Sequence, residues 1–439
     1  MLIIVAIALG VILNPLNTTM ITVALPAIQP DFNLSSTDIS WLIASYFIIS
    51  AICTPLIGRI SDMYGRKNLF LFGMGTVVIS SLLAPHSTSM LMLLGMRGIQ
   101  AVGTSALYPT GIGIVRTYIK KNQHRVIGTL SVFATTSAAF GPTISGLLIQ
   151  FGGWPVIFYV NLPILLIGGL LAFMFIPKDD RSNQKTNKWD LLGILLFSLT
   201  ITFWMVFLLS LEDGFNLGSF IVAIIVSGLF YLQEKRHTDP FININFFQKN
   251  IHITLIYGQY ILTTVIFFAL LLAMPSFLQQ VLSVSSSTTG IIMLALSVFA
   301  MVTTPIATRW TEKSGFRIPL IVGAIIGIVA ALLLLSVTDQ STIVWIGIVL
   351  ASFGITNGIQ NISLQNLLYS RIAVSESGIA AGLLMTSRFI GNILASSIFG
   401  IMFATGINHH NLNSMSILLL IISVILVPGM LFVTRGKGK

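Results

Sequence analysis

A chain of 439 residues that is 55% hydrophobic and 8% charged, at a mean hydropathy of +0.94, is excluded from the soluble globular class, where about a quarter of residues carry charge. In a soluble protein the net charge of +10 would point to nucleic acid, but here the charges punctuate apolar runs and so mark one side of a membrane. The single cysteine, Cys53, excludes an intrachain disulfide and offers no metal site.

Apolar runs of about 18 to 28 residues recur along the whole length, enough to cross roughly 30 Å of hydrocarbon as helices, and β-barrel alternation is absent. They predict helices near 2–28, 40–57, 68–84, 90–116, 126–149, 156–176, 190–210, 217–233, 251–274, 288–308, 317–336, 341–367, 377–404 and 414–433. The expected fold class is all-α integral membrane, with fourteen spans. The first run starts at Leu2 with no basic segment ahead of it and no small-residue cleavage site behind it, which predicts a retained helix rather than a signal peptide. Of the 23 Lys and Arg, none falls in an outer loop, 21 lie in or beside inner loops or the C-terminal tail, and two, Arg97 and Arg388, sit within spans. The positive-inside rule then puts both termini on the cytoplasmic side.

In the first span, Asn14 and Asn17 are three apart and share a helix face. They are expected to line a polar interior, either as interhelical hydrogen-bond partners or as substrate contacts. Between the second and third spans lies Gly58-Arg59-Ile60-Ser61-Asp62-Met63-Tyr64-Gly65-Arg66-Lys67, a charged, glycine-punctuated turn. Asp62 suits pairing with basic groups or capping a helix start, while Gly58 and Gly65 permit close approach and a tight reversal. Gly58, Asp62, Gly65, Arg66 and Lys67 therefore form a candidate conformational latch; enforcement of topology by the basic residues is the other reading. The turn has a partner 250 residues on, where Thr54-Pro55, Arg59, Asp62, Gly65 and Lys67 return as Thr304-Pro305, Arg309, Glu312, Gly315 and Arg317. That is an internal repeat. Its offset leaves two spans more than a plain pair of six-helix halves needs. Polar stretches bound the extra pair, giving an N-terminal six-helix bundle at 1–176, a linker with two inserted spans at 177–250 and a C-terminal six-helix bundle at 251–439.

In the fourth span, a charge deep in the bilayer costs several kcal/mol unless it meets a partner or water, so Arg97 is expected to face the interior together with Gln100. A structural arginine bonded to carbonyls is the alternative. In the fifth span, Gly141-Pro142-Thr143-Ile144-Ser145-Gly146 combines small residues with a proline, which lets a helix bend and pack closely. Interior candidates of the second half are Tyr257, Gln259 and Tyr260, then Asn357, Gln360 and Asn361, then Arg388 with Asn392. Tyr46, Trp204 and Phe389 are aromatic candidates for stacking on flat or cationic ligands, with interfacial packing as the other reading.

These stretches carry a family resemblance. The 58–67 turn resembles the loop signature G-x-x-x-D-x-x-G-R-K/R of the major facilitator superfamily. Leu16-Asn17-Thr18-Thr19-Met20-Ile21-Thr22-Val23-Ala24-Leu25-Pro26 resembles the L-D-x-T-x-V-N-V-A-L-P signature of its fourteen-helix drug:proton antiporter family, with Asn17 where that family has aspartate. Arg97-Gly98-Ile99-Gln100-Ala101-Val102-Gly103 is similar to R-x-x-Q-G-x-G, and Gly141, Pro142 and Gly146 stand in the G-P-x-x-G-G antiporter signature with Ser145 for its penultimate glycine. Gly153 to Pro163 resembles W-R-W-I-F-x-I-N-x-P. The likeness is dense over 16–163 and one of layout beyond.

The resemblance implies a proton-coupled multidrug efflux pump of a bacterial cytoplasmic membrane, rocking one bundle against the other. Its expected cargo is amphipathic cationic or zwitterionic compounds such as dyes, antiseptics and fluoroquinolone-type antibiotics. The substrate-cavity candidates are Asn14, Asn17, Tyr46, Gln100, Gln259, Asn357, Asn361 and Arg388. The resemblance also implicates Arg97 in proton transfer. No Asp or Glu lies mid-span, so the other coupling candidates are Asp31 and the adjacent Glu212-Asp213 at helix ends, with Glu376 a further inner one. Solvated loop charges are the alternative for these. With no G-x-x-x-x-G-K-[ST] loop and no H-E-x-x-H, no enzyme activity, metal or cofactor is expected, and energy falls to the proton gradient. Small molecules, protons and lipid are the expected partners, with no nucleic acid and a monomeric chain. The rival readings are a single-metabolite transporter and a non-transporting membrane sensor or scaffold.

Overall fold

The computed structural model describes residues 2–33, 36–178, 190–211, 214–237, 240–242, 244, 248, 250–284, 286–374, 377–403 and 406–435, and among these all regular structure is helical. The helices are α1 (Leu2–Val11), α2 (Leu13–Phe32), α3 (Ser36–Tyr64), α4 (Arg66–Leu83), α5 (Met90–Tyr118), α6 (Gln123–Gly152), α7 (Val156–Tyr159) and α8 (Asn161–Phe175). They continue with α9 (Leu191–Ser210), α10 (Leu217–Arg236), α11 (Ile251–Gln280), α12 (Ser286–Ser314), α13 (Arg317–Leu335), α14 (Ile343–Arg371), α15 (Ser377–Met402) and α16 (His409–Arg435). Among the described residues, thirteen stretches are long and apolar enough to cross a membrane. The remaining predicted span is α6, 30 residues long.

Of the predicted boundaries that change, three do so for a clear local reason. The first span is two helices, because Pro15 has no N–H for the Val11 carbonyl four residues back. The sixth is divided in the same way at Val160, because Pro163 has no N–H for the Tyr159 carbonyl four residues back. The second span does not stop at 57 but runs to Tyr64, so most of the presumed turn is helical and Gly65 alone makes the reversal, at φ +108°. Its repeat partner Gly315 has φ +74°. Both are backbone conformations that a Cβ penalises.

The chain forms two compact units. In unit 1 (1–186 with 372–386), α1 packs on α8 and α5, α2 on α6, and both α3 and α4 on α5. Close approach of α4 and α5 depends on small residues, since a Cβ on Gly73 would lie 2.8 Å from the Gly103 carbonyl oxygen and one on Gly103 2.8 Å from that of Gly73. In unit 2 (187–371 with 387–439), α14 packs on α12, α13 and α11, α16 on α13 and α11, and α9 on α10. The α9 and α10 stretches are the least buried of the thirteen, at 28% and 17%. Bonding of Ser397 Oγ to the Leu208 carbonyl at 2.6 Å ties α9 to α15 within this unit.

Replacing Gly65 or Gly315 with Ala is expected to cost about 1–2 kcal/mol each through backbone strain. The check is a lowered unfolding midpoint of the detergent-purified variants.

Candidate functional site

Arg97, Gln100 and Thr104 recur three and four residues apart along α5, which puts them on one helix face, and all three are buried. Arg97 Nη1 donates to Gln100 Oε1 at 2.7 Å, and Gln100 Nε2 donates to Asn17 Oδ1 at 3.0 Å. The Asn17 and Asn161 amides face each other reciprocally at 3.0 and 2.9 Å, and Asn161 Nδ2 also reaches Ser81 Oγ at 3.2 Å. On the other side of Arg97 its guanidinium carbon lies 4.3 Å from the Tyr46 ring centroid. The Tyr46 hydroxyl is 2.6 Å from Thr104 Oγ1 and accepts from Asn14 Nδ2 at 3.3 Å. One buried network thus joins α2, α3, α4, α5 and α8.

This network contains a cation and no anion. Among the described residues Arg97 forms no ion pair, its buried Nε has no hydrogen-bond partner, and its Nη2 donates to nothing. Stacking on Tyr46 recovers about 2 kcal/mol when desolvated, against a desolvation penalty of several kcal/mol for the ion.

In unit 2 the bonded candidates are Asn361, whose Nδ2 donates to the Tyr260 hydroxyl at 3.3 Å, and Gln360, whose Oε1 accepts from Thr263 Oγ1 at 2.9 Å. Arg388, half-buried on α15, lies within electrostatic range of Tyr260. Gln259 and Asn357 are buried, Gln259 packing against Gly429, where any Cβ would collide with it.

The residues of the 58–67 stretch assemble a second centre, inside unit 1. Asp62 and Arg66 pair across the Gly65 reversal at 2.7 Å. Arg66 Nη1 donates to the Gly113 carbonyl at 2.8 Å and to Thr117 Oγ1, and Nη2 donates to the Val374 carbonyl at 3.1 Å and to Ser377 Oγ at 3.3 Å. Asp62 Oδ2 accepts the Ile379 N–H at 3.3 Å, so the carboxylate sits at the N-terminus of α15, where negative charge is favoured. Arg116 adds a bond to the Ile372 carbonyl at 2.8 Å, and Thr386 Oγ1 bonds the Ala51 carbonyl at 2.8 Å. The 372–386 segment is thereby fastened to α3 and α5. Lys67 is engaged elsewhere, donating to the Phe173 and Ile176 carbonyls at 2.7 and 2.6 Å and so satisfying the end of α8. Gly58 is buried, its carbonyl accepting from Ser61 at 2.7 Å.

On α6, a Cβ at Gly141 would meet the Thr19 side chain, and Ser145 Oγ donates to the Met20 carbonyl at 2.8 Å. This face is the α2 contact. Gly146 faces open space, and Pro142 lies within α6. Asp31, exposed on the last turn of α2, accepts from Trp154 Nε1 at 2.6 Å, a partner outside the Arg97 network. Glu212, Asp213 and Glu376 lie outside the described residues. Sequence reasoning missed Thr104, Ser81 and Arg116. Thr104 was accessible as the next position on the Arg97 and Gln100 face, whereas Ser81 and Arg116 carry no local signal.

Membrane-length helices in two units, each with polar side chains buried in its interior, define a multi-span membrane protein whose polar groups are kept from lipid. The sequence profile described as Major Facilitator Superfamily matches residues 7–396, and the chain belongs to that superfamily. It is 37% identical over 420 residues to the uncharacterized MFS-type transporter YwoD of Bacillus subtilis (strain 168), covering 95% of this chain and 93% of that protein. It is 27% identical over 414 residues to the multidrug resistance protein Stp of Mycobacterium tuberculosis (strain CDC 1551 / Oshkosh), covering 91% and 75%. Among solved structures, the human organic anion transporter MFSD10 (TETRAN) superposes with a TM-score of 0.73 at 15% identity, covering 97% of this chain and 99% of that one. At that identity the likeness concerns the fold alone.

Replacing Asn161 with Ala removes both halves of the Asn17 pair and the Ser81 bond. The expected loss is about 1–3 kcal/mol, seen as a lower unfolding midpoint, with a smaller loss for Ser81→Ala.

Proposed function

We propose that this transporter exports amphipathic organic compounds from the cytoplasm of a bacterial cell in exchange for protons, by alternating access, as a monomer in the cytoplasmic membrane. The observation that supports it best is the Asp62–Arg66 centre, which spends its hydrogen bonds on a segment more than 300 residues away in sequence. Bonds to charged groups contribute about 1.5–3 kcal/mol each. A proton moving through about 100 mV supplies about 2.3 kcal/mol. One coupling event is therefore comparable with one such bond, and release of the 372–386 segment from α3 and α5 is a step of the size the gradient can drive.

Export rather than import is supported by the antiporter-like stretch of α6, in which Gly141 packs onto α2 while Ser145 replaces a signature glycine, and by the name of the Mycobacterium relative. For the proton carriers we favour Asp31, whose carboxylate is held by Trp154 near the outer end of α2, with Glu212 and Asp213 as further candidates. Reconstituted protein is expected to accumulate a fluorescent amphipath under an imposed pH gradient without nucleotide, and to stop when a protonophore is added. Transport that survives the protonophore would refute proton coupling.

Asp62→Asn leaves Arg66 buried without its anion, a loss of roughly 3–5 kcal/mol to the state described here. Transport per folded molecule is expected to fall by at least about tenfold, well beyond any fall in membrane abundance. If the two fall in proportion, the turn serves topology and not gating.

A further inference from the structure

Arginine offers two bidentate edges, and the side-on edge is made by Nε and Nη2. In Arg97 that edge is the unused one: Nη1 is committed to Gln100 at 2.7 Å, while Nε and Nη2 donate to nothing among the described residues. The residue is 2% exposed. Its guanidinium face is held against Tyr46, 4.3 Å from the ring centroid, and Tyr46 is in turn fixed by Thr104 at 2.6 Å. The group is thus aimed and immobilised before any partner arrives. Asn17 is no counter-charge, because it is neutral and its Oδ1 already accepts from Gln100 and Asn161.

We propose that the unpaired Nε/Nη2 edge of Arg97 is a recognition site for an oxyanion, and that the transported molecules are amphipathic organic carboxylates or zwitterions that present a carboxylate to it. The inference rests on the transporter reading above and sharpens its substrate class. A carboxylate matches the edge with two parallel charge-assisted bonds and neutralises a buried cation in one step. An uncharged analogue leaves two desolvated donors unpaired. A purely cationic amphipath adds a like charge in a low dielectric. Of the two charge classes suggested by the sequence, zwitterions fit this site and simple cations do not.

The test is equilibrium binding to the full-length purified protein of three compounds with one skeleton: naphthaleneacetate, naphthaleneacetamide and naphthylmethylamine. The carboxylate is expected to bind at least about tenfold more tightly than the amide, the effect of one charge-assisted hydrogen bond, with the amine weakest. In Arg97→Gln the preference disappears, and in Arg309→Gln, an exposed position near the end of α12, it persists. Arg97→Lys keeps the charge and loses the fork, so the preference falls without vanishing; this variant also stands in if Arg97→Gln fails to fold. Equal binding of carboxylate and amide by the parent, no binding of the carboxylate at millimolar concentration, or an unchanged preference in either Arg97 variant overturns the proposal. The titration needs no transport. A carboxylate preference without proton-driven efflux therefore sinks the exporter reading alone, and efflux without the preference sinks the anion site alone.

Discussion

A guanidinium removed from water needs an anion or a full set of acceptors, and the centre of unit 1 is arranged around an arginine that has neither. Gln100 supplies one acceptor and Tyr46 an aromatic face. The rest of the network acts at one remove: Asn17 and Asn161 hold Gln100 in place, and Thr104 and Asn14 hold Tyr46. Five helices are pinned by this arrangement. Lipid-facing apolar residues contribute little to specifying which helix lies where, because tails are as apolar as the side chains they meet. The polar network therefore fixes the packing of the bundle as well as any chemistry it performs.

The Asp62–Arg66 centre solves a different problem with the same means. Both charges are largely removed from water, at 11% and 10% side-chain exposure, yet each meets its opposite and several further partners. A fully satisfied ion pair of this kind is sensitive to the loss of any single partner. That makes it suited to holding one arrangement of the 372–386 segment strongly and others weakly.

Much of this was legible in the residues, and the remainder was hidden for identifiable reasons. Span number followed from apolar length, since hydrocarbon thickness fixes the helix needed to cross it. Helix breaks were harder. Pro15 and Pro163 interrupt their helices, but Pro55, Pro109, Pro275, Pro305 and Pro428 sit inside unbroken ones, so a proline alone does not decide. The 58–64 stretch was misread as turn because its charges suggested solvent, whereas only Gly65 has to leave the helix. Arg97 and Gln100 were paired by spacing along one helix. The Asn17–Asn161 bond spans 144 residues and the Arg66–Val374 bond 308, and no local pattern encodes either.

The repeat shows how one backbone device acquires two different uses. α3 ends at Tyr64 and α12 at Ser314, and each is followed by a glycine at positive φ, so the geometry of the reversal is the same 250 residues apart. In both, a threonine before the proline bonds back to the carbonyl four residues earlier, Thr54 to Ser50 and Thr304 to Ala300. The side chains diverge at one decisive position. Where the first copy has Arg66, buried and bonded to α3, α5 and the 372–386 segment, the second has Phe316. Glu312, the counterpart of Asp62, is exposed together with Arg309 and Arg317. A carboxylate without the adjacent guanidinium has no reason to leave water. The second turn therefore keeps Arg309, Glu312 and Arg317 exposed, and the buried Asp62–Arg66 pairing has no counterpart there, because phenylalanine stands where the first copy has arginine.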